Sequence, residues 1–260
     1  MNQLGNYVSH VPDAAGLIRY SPEEDAVWAE LYARQQAAIR GKACEEFMQG
    51  LELLRLPADR VPQIPEVSRA LRAQTGWEVA PVPALISNSE FFGLLAARRF
   101  PAATFVRRRE ELDYLKEPDI FHEVFGHIPL LTNRWFADFT QAYGRLALAA
   151  SPTEQEFLAR LYWFTAEFGL VQKPGQEARI YGGGILSSIG ETAYALGPKP
   201  QRRRFRVMDA LRTPYRIDIM QPLYYVLEDL RELDEITRMD VMALVREAGR
   251  LGLYAPAFAA

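Results

Sequence analysis

The chain has 260 residues, 49% hydrophobic and 24% charged, a balance that excludes disorder, collagen and a continuous coiled coil. Its 30 basic and 33 acidic residues leave a net charge of −3, so no positive field recommends a nucleic acid or an anionic membrane, and the expected partner is a small molecule. The one cysteine, Cys44, closes no intrachain disulfide, the opening MNQLGNYVSHVPD lacks a signal-peptide core, and charges interrupt every apolar stretch well before the ~20 residues that cross a bilayer; a cytoplasmic protein is expected.

No repeat or linker divides the chain, and a single domain over 1–260 is expected. The first helix begins at Ser21-Pro22-Glu23-Glu24, with Ser21 as N-cap, Pro22 at the first helical position and Glu24 closing a capping box. Val27, Trp28, Leu31 and Tyr32 form its apolar stripe. Helical patterns follow at about Lys42 to Leu54 and Val67 to Gln74, then Trp77 to Ile86 reads as extended chain broken by Pro81 and Pro83. Phe91 to Arg99 reads as helix and Ala102 to Arg107 as a short strand. Pro118 and Asp119 open a helix expected to end near Gly126. Longer helices are expected from Asn133 to Ala150 and Thr153 to Phe168, the second with a capping box of Thr153 and Glu156. Short strands at Arg179 to Tyr181 and Arg216 to Met220 flank the Gly182-Gly183-Gly184 turn and a helix from about Leu186 to Leu196. Helices around Leu223 to Glu232 and Ile236 to Leu251 complete a mostly helical α+β class.

Two of the three histidines, His122 and His127, lie within Phe121-His122-Glu123-Val124-Phe125-Gly126-His127-Ile128-Pro129. Imidazole is the commonest metal-binding side chain, and an unpaired polar ring among Phe121, Val124, Phe125 and Ile128 would be costly. One metal ion would satisfy both rings; two core histidines bonded to backbone are the bland alternative. Zinc peptidases space their histidines four apart on one helical face, with a glutamate as base. Here the spacing is five. At ~100° per residue the second ring stands about 140° around a straight helix from the first, so the helix is expected to end between them, at Gly126. The resemblance of His-Glu to a peptidase motif is therefore discounted, and a zinc hydrolase is the remote alternative.

Two imidazoles and a carboxylate on one face of an ion are typical of non-haem Fe(II) oxygenases. Among the acids, Glu167 stands at the edge of the aromatic segment Leu161-Tyr162-Trp163-Phe164-Thr165-Ala166-Glu167-Phe168, where a carboxylate calls for a cation. An exposed helix end or an ion pair with an arginine would also explain it. Asp119 is the rival ligand, and its place three residues before His122 at a helix start also fits a cap.

The segments Pro118 to Leu130, Tyr162 to Leu170 and Tyr181-Gly182-Gly183-Gly184-Ile185-Leu186-Ser187-Ser188, with Thr213 to Ile219 and Gln221 to Tyr225, resemble the pterin-dependent aromatic amino acid hydroxylases, over nearly the whole chain. The resemblance implies a mainly helical catalytic domain holding one Fe(II) through His122, His127 and Glu167, and a reaction of L-phenylalanine, O2 and a tetrahydropterin that yields L-tyrosine and a hydroxylated pterin. It places the pterin against Leu85 to Phe91, with Ile86, Phe91 and Tyr162 as cofactor contacts and Glu123 bonding near the pterin ring nitrogens. It gives the substrate carboxylate to Arg107, with Ser187 nearby, and the substrate ring to Trp163, Phe168, Pro118 and Tyr114. Composition alone would make the run from Arg107 to Glu111 a solvated face. Ile217 is apolar at a family position tied to admitting or refusing a tyrosine hydroxyl. The animal relatives carry a regulatory domain and a C-terminal oligomerisation helix; neither is expected here, and a monomer is. The same chemistry on tryptophan or tyrosine, or at another ring carbon, is the nearest alternative.

Overall fold

The computed structural model describes residues 7–84, 86–113 and 117–258. Helix α1 (Pro22–Ile39) starts as expected: Ser21 and Glu24 form the capping box, and Val27, Trp28, Leu31, Gln35 and Ile39 face inward. Helices α2 (Glu45–Leu54) and α3 (Ile64–Thr75) follow. Strands β1 (Glu78–Val82) and β2 (Arg99–Ala103) pair in parallel around α4 (Asn88–Ala96), which Ser87 caps. The expected strand at Ala102 to Arg107 thus begins earlier, at Arg99.

The segment expected to break at Gly126 does not break. Residues Phe121–His127 form a π-helix that runs directly into α5 (Ile128–Leu131). In a π turn each hydrogen bond spans five residues rather than four, so residue i+5 stands over residue i. His122 and His127 thereby share one face without a helix end. Phe121, Val124, Phe125 and Ile128 are fully buried beneath them, at about 1.5–3 kcal/mol for each large side chain, which offsets the unusual winding. Phe125 stacks on Phe121 at 4.8 Å, and Trp28 of α1 meets Phe121 edge-on.

Asn133 caps α6 (Arg134–Ala149). Helix α7 (Pro152–Tyr162) is capped by Ser151 with Glu154, two residues earlier than expected, because Pro152 takes the first helical position. A second π-helix, Trp163–Glu167, extends α7, and Phe168 N–H donates to Trp163 O across five residues at 2.8 Å.

Strands β3 (Leu170–Val171) and β4 (Arg179–Ile180) precede α8 (Gly183–Leu186) and α9 (Ile189–Tyr194). Ser188 caps α9 and so splits the one helix expected there. Strand β5 (Gln201–Arg204), which the sequence pattern hid, is exposed throughout and lies at a sheet edge, where charged side chains guard against further pairing. Helix α10 (Val207–Arg212) follows, but Arg216 to Met220 forms no strand. Leu223 to Leu227 corrects a second expectation: it is strand β6, buried at every position. A five-residue run of aromatic and branched apolar side chains without alternation suits a strand covered on both faces. The sheet runs β4-β3-β6-β5, with β6 parallel to both neighbours. Helices α11 (Arg231–Arg238) and α12 (Val241–Leu251) close the chain.

Helices α4 and α6 pack closely because Gly144 lets their backbones touch: a Cβ there would lie 2.6 Å from Ala96 N and from Leu95 Cβ. Gly144→Val is expected to lower stability by about 1–3 kcal/mol, read as a reduced urea midpoint at unchanged slope.

Candidate metal centre and active site

Both π segments deliver their polar side chains to one point. His122 Nε2 and His127 Nε2 are 3.2 Å apart. Glu167, the last residue of the second π segment, brings Oε1 to 3.3 Å from His127 Nε2 and Oε2 to 3.9 Å from His122 Nε2. Metal bonds of about 2.0–2.2 Å at right angles put neighbouring donors about 3 Å apart, so these atoms fit one face of a single ion. The third histidine, His10, pairs with Glu24 instead.

Local bonds set the chemistry of each donor. The Ser187 hydroxyl donates to Gly183 O at 2.8 Å and lies 2.8 Å from His122 Nδ1. With its hydrogen committed to the carbonyl, Ser187 Oγ accepts from His122 Nδ1–H, which turns the lone pair of Nε2 toward the centre. Burial drives the His122 imidazole down to about 4, with His127 adding to the fall, so the ring is neutral and able to coordinate. Burial also disfavours a charged His127, but Glu167 outweighs it and raises that ring above its ordinary value. Burial alone would raise the Glu167 carboxyl, yet His127 and His122 beside it hold it below the usual range. A metal cation among these atoms would satisfy all three at once.

Glu123 also offers an oxygen within 4.8 Å of donor atoms on both imidazoles. Burial pushes its carboxyl up to about 8, against the pull of His127 and with Glu167 adding to the rise. The two acids at the centre are thus pushed in opposite directions, Glu123 up by burial and Glu167 down by its two imidazole neighbours.

The Gly-rich turn explains how three elements meet here. Helix α8 packs against both π segments. A Cβ on Gly183 would lie 2.5 Å from Cε1 and Nδ1 of His127, and one on Gly126 would lie 2.7 Å from Gly183 O. Gly126 therefore serves close approach of α8, not helix termination.

A cavity of about 500 Å3 opens beside the centre, and its wall includes His122, Glu167, Trp163, Phe168, Pro118, Arg107 and Ser187. Ile217 lines it too, and several other expected residues lie off that wall. Phe91 stands edge-to-face with Tyr162 at 5.9 Å, while Ile86 and Glu123 also stay outside the wall; Tyr114 and Leu85 lie outside the described residues. Arg107 is buried, not on a solvated face. It gives Nε and Nη2 to the two Asp119 oxygens, each at 2.8 Å. Asp119 is also the cap expected of it, accepting from His122 N–H at 3.0 Å. Gln35, Glu191 and Gln221 line the cavity as well and were not anticipated. Gln35 had a signal: it sits seven residues after Trp28 and four after Leu31, a polar residue on the apolar stripe of α1.

Arg107 and Asp119 are 7% and 0% exposed, so removing one partner strands a buried charge. Asp119→Asn is expected to cost about 3–5 kcal/mol at neutral pH. The Asp119 carboxyl is depressed, since Arg107 outweighs the burial that would raise it. Its contribution is therefore present above the unfolded-state value of about 3.9 and is lost as pH falls below that. Urea melts of both proteins from pH 7 to pH 3 are expected to show a constant gap down to about pH 4 and a gap that starts to narrow, without closing, by pH 3.

Residues 7–248 match the family model described as biopterin-dependent aromatic amino acid hydroxylase. The chain is 58% identical over 252 residues to the phenylalanine-4-hydroxylase of Pseudomonas aeruginosa, covering 97% of this chain and 96% of that one. It superposes with a TM-score of 0.94 on the apo structure of the cold active phenylalanine hydroxylase from Colwellia psychrerythraea 34H, at 56% identity and with 96% and 97% of the two chains covered. A structure of Chromobacterium violaceum phenylalanine hydroxylase with bound oxidised Fe(III) matches at 43% identity and a TM-score of 0.89, covering 95% and 92%. The chain belongs to the biopterin-dependent aromatic amino acid hydroxylase family.

Proposed function

We propose that this chain is a phenylalanine 4-monooxygenase that binds Fe(II) through His122, His127 and Glu167 and uses a tetrahydropterin as electron donor. The observation that carries the reading is the convergence of two imidazole nitrogens and a carboxylate, 3.2–3.9 Å apart, beside an aromatic-walled cavity that also holds a buried arginine. When bound, iron and the reduced pterin supply dioxygen activation and two electrons, so that one oxygen atom enters the ring and the other leaves on the pterin.

The protein's own residues bind and orient. Arg107, fixed by Asp119, presents the outer edge of its guanidinium to the substrate carboxylate, where two parallel hydrogen bonds are available. That anchor sets how far the aromatic ring reaches toward the centre. Trp163 and Phe168, 4.4 Å apart, and Pro118 wall the ring and exclude water. Ser187 keeps the lone pair of His122 on the metal side. Glu123, its carboxyl raised by burial, serves a pterin ring nitrogen from outside the cavity wall, near enough to the Tyr162 hydroxyl to act on it electrostatically. Ile217, apolar and at the cavity rim, rejects an added hydroxyl only weakly, so slow turnover of tyrosine is part of the reading. The reading extends to a cytoplasmic monomer. Among the described residues no helix is long and apolar enough to cross a membrane, and the lone cysteine is buried.

Metal-free protein given Fe(II) anaerobically, then L-phenylalanine, tetrahydropterin and O2, is expected to release L-tyrosine. Glu167→Ala is expected to lower that rate by about 100-fold or more; full activity in this variant would remove the ligand assignment. Gly183→Ala forces the His127 ring aside and is expected to weaken Fe(II) affinity by about 10–100-fold, measured by equilibrium metal titration.

A further inference from the structure

We infer that Gln221 is a positioning residue for the substrate ring, because its carboxamide ties the cavity's rim loop to the indole of Trp163. The inference rests on reading the cavity as the amino acid site. Residues 213–220 cross the rim without regular structure, and two of their apolar side chains, Ile217 and Met220, are 58% and 46% exposed while lining the cavity. A segment with so little buried apolar surface needs another source of order.

Gln221 supplies it from a position only 2% exposed. Its side-chain NH2 donates to Arg216 O at 2.8 Å and Ile219 O at 2.9 Å, which closes the loop on itself across Ile217. Its side-chain oxygen accepts from Trp163 Nε1–H at 3.1 Å, and its backbone N–H donates to Glu191 Oε1 at 3.2 Å. Glu191 is held in turn by the Tyr224 hydroxyl of β6. Every polar group of this side chain is thus committed, and each bond fixes the next.

The far end of the tie matters most. Trp163 opens the π segment that ends at Glu167. Its ring is sandwiched between Phe168 at 4.4 Å and Tyr215 of the rim loop at 4.3 Å. Stacking alone leaves an indole free to slide in its plane; the bond to Gln221 pins it. Loss of that pin lets the loop and the Trp163 wall move together, which loosens the grip on a phenyl ring without touching the metal donors or the pterin side.

The test uses the full chain loaded with Fe(II), comparing the parent with Gln221→Met, which keeps length and loses all three side-chain bonds, and Trp163→Phe, which keeps the stack and loses the indole N–H. Gln221→Met is expected to raise KM for phenylalanine about tenfold. The change in kcat should be smaller, KM for the pterin unaltered, and the tyrosine formed per pterin oxidised reduced. Without Fe(II), pterin or substrate, trypsin is expected to cut Arg216–Ile217 severalfold faster than in the parent, with fragments mapped by mass spectrometry. Trp163→Phe is expected to reproduce the KM rise in part. Parental KM and parental cleavage in Gln221→Met would overturn the proposal. So would equal losses against both substrates with a lowered melting temperature, and if Gln221→Met fails to fold, a parental KM in Trp163→Phe overturns it alone. A parent that makes no tyrosine refutes the functional reading, and the loop tie is then judged by trypsin on its own.

Discussion

Two imidazoles five residues apart meet one ion only where the backbone is wound wider than an α-helix, and the rest of the site depends on that wide turn. It costs regular hydrogen bonding, and the cost is met by Phe121, Val124, Phe125 and Ile128, whose burial fixes the segment from below. The second wide turn does the same for Glu167, carried on the aromatic helix end that also supplies Trp163 and Phe164. Function sits on two locally unusual stretches of helix held by ordinary packing on their far sides.

Close approach is the second requirement. Candidate donors from distant parts of the chain converge only if the elements carrying them come nearer than side chains normally allow. Gly126 and Gly183 leave that room at the histidine helix and at α8, and Ser187, just past the end of α8, orients His122. The same short helix therefore spaces one histidine and sets the tautomer of the other.

Charge is arranged with equal economy. Asp119 neutralises Arg107 and accepts the backbone N–H of His122, so the group that would anchor a substrate carboxylate and the start of the metal-binding turn share one buried acid. In the proposed function, a substrate held by Arg107 would be registered against the candidate metal centre through a single rigid connection. On the opposite wall, Glu191, Gln221 and Tyr224 form a second buried polar chain, and it serves the rim rather than the metal.

Much of the chemistry was legible in residue order. His122 and His127 stood out as candidate ligands because polar rings in strongly apolar surroundings need partners, Glu167 joined them through the family resemblance, and Ser21 announced a helix start through purely local bonds. The same local logic failed wherever the outcome depended on distant chain. Five-residue spacing argued for a helix end at Gly126, whereas packing against α8 and the aromatic core stabilised a π turn instead. Leu223 to Glu232 has helical length and read as one helix, but neighbours on both edges and burial at every position made Leu223 to Leu227 a central strand. Arg107 to Glu111 reads as a solvated run, and only the return of the chain at Asp119 buries its first arginine. Gln221 lay in a segment that carried the family resemblance, but nothing marked its role, since its three side-chain bonds go to loop carbonyls and an indole that the fold alone brings within reach. Sequence by itself determined which polar groups stand in apolar surroundings and where helices could begin, because those are matters of local polarity and bonding; the tertiary structure decided how the candidate donors meet and what lines the cavity, because those follow from contacts between segments remote in the chain.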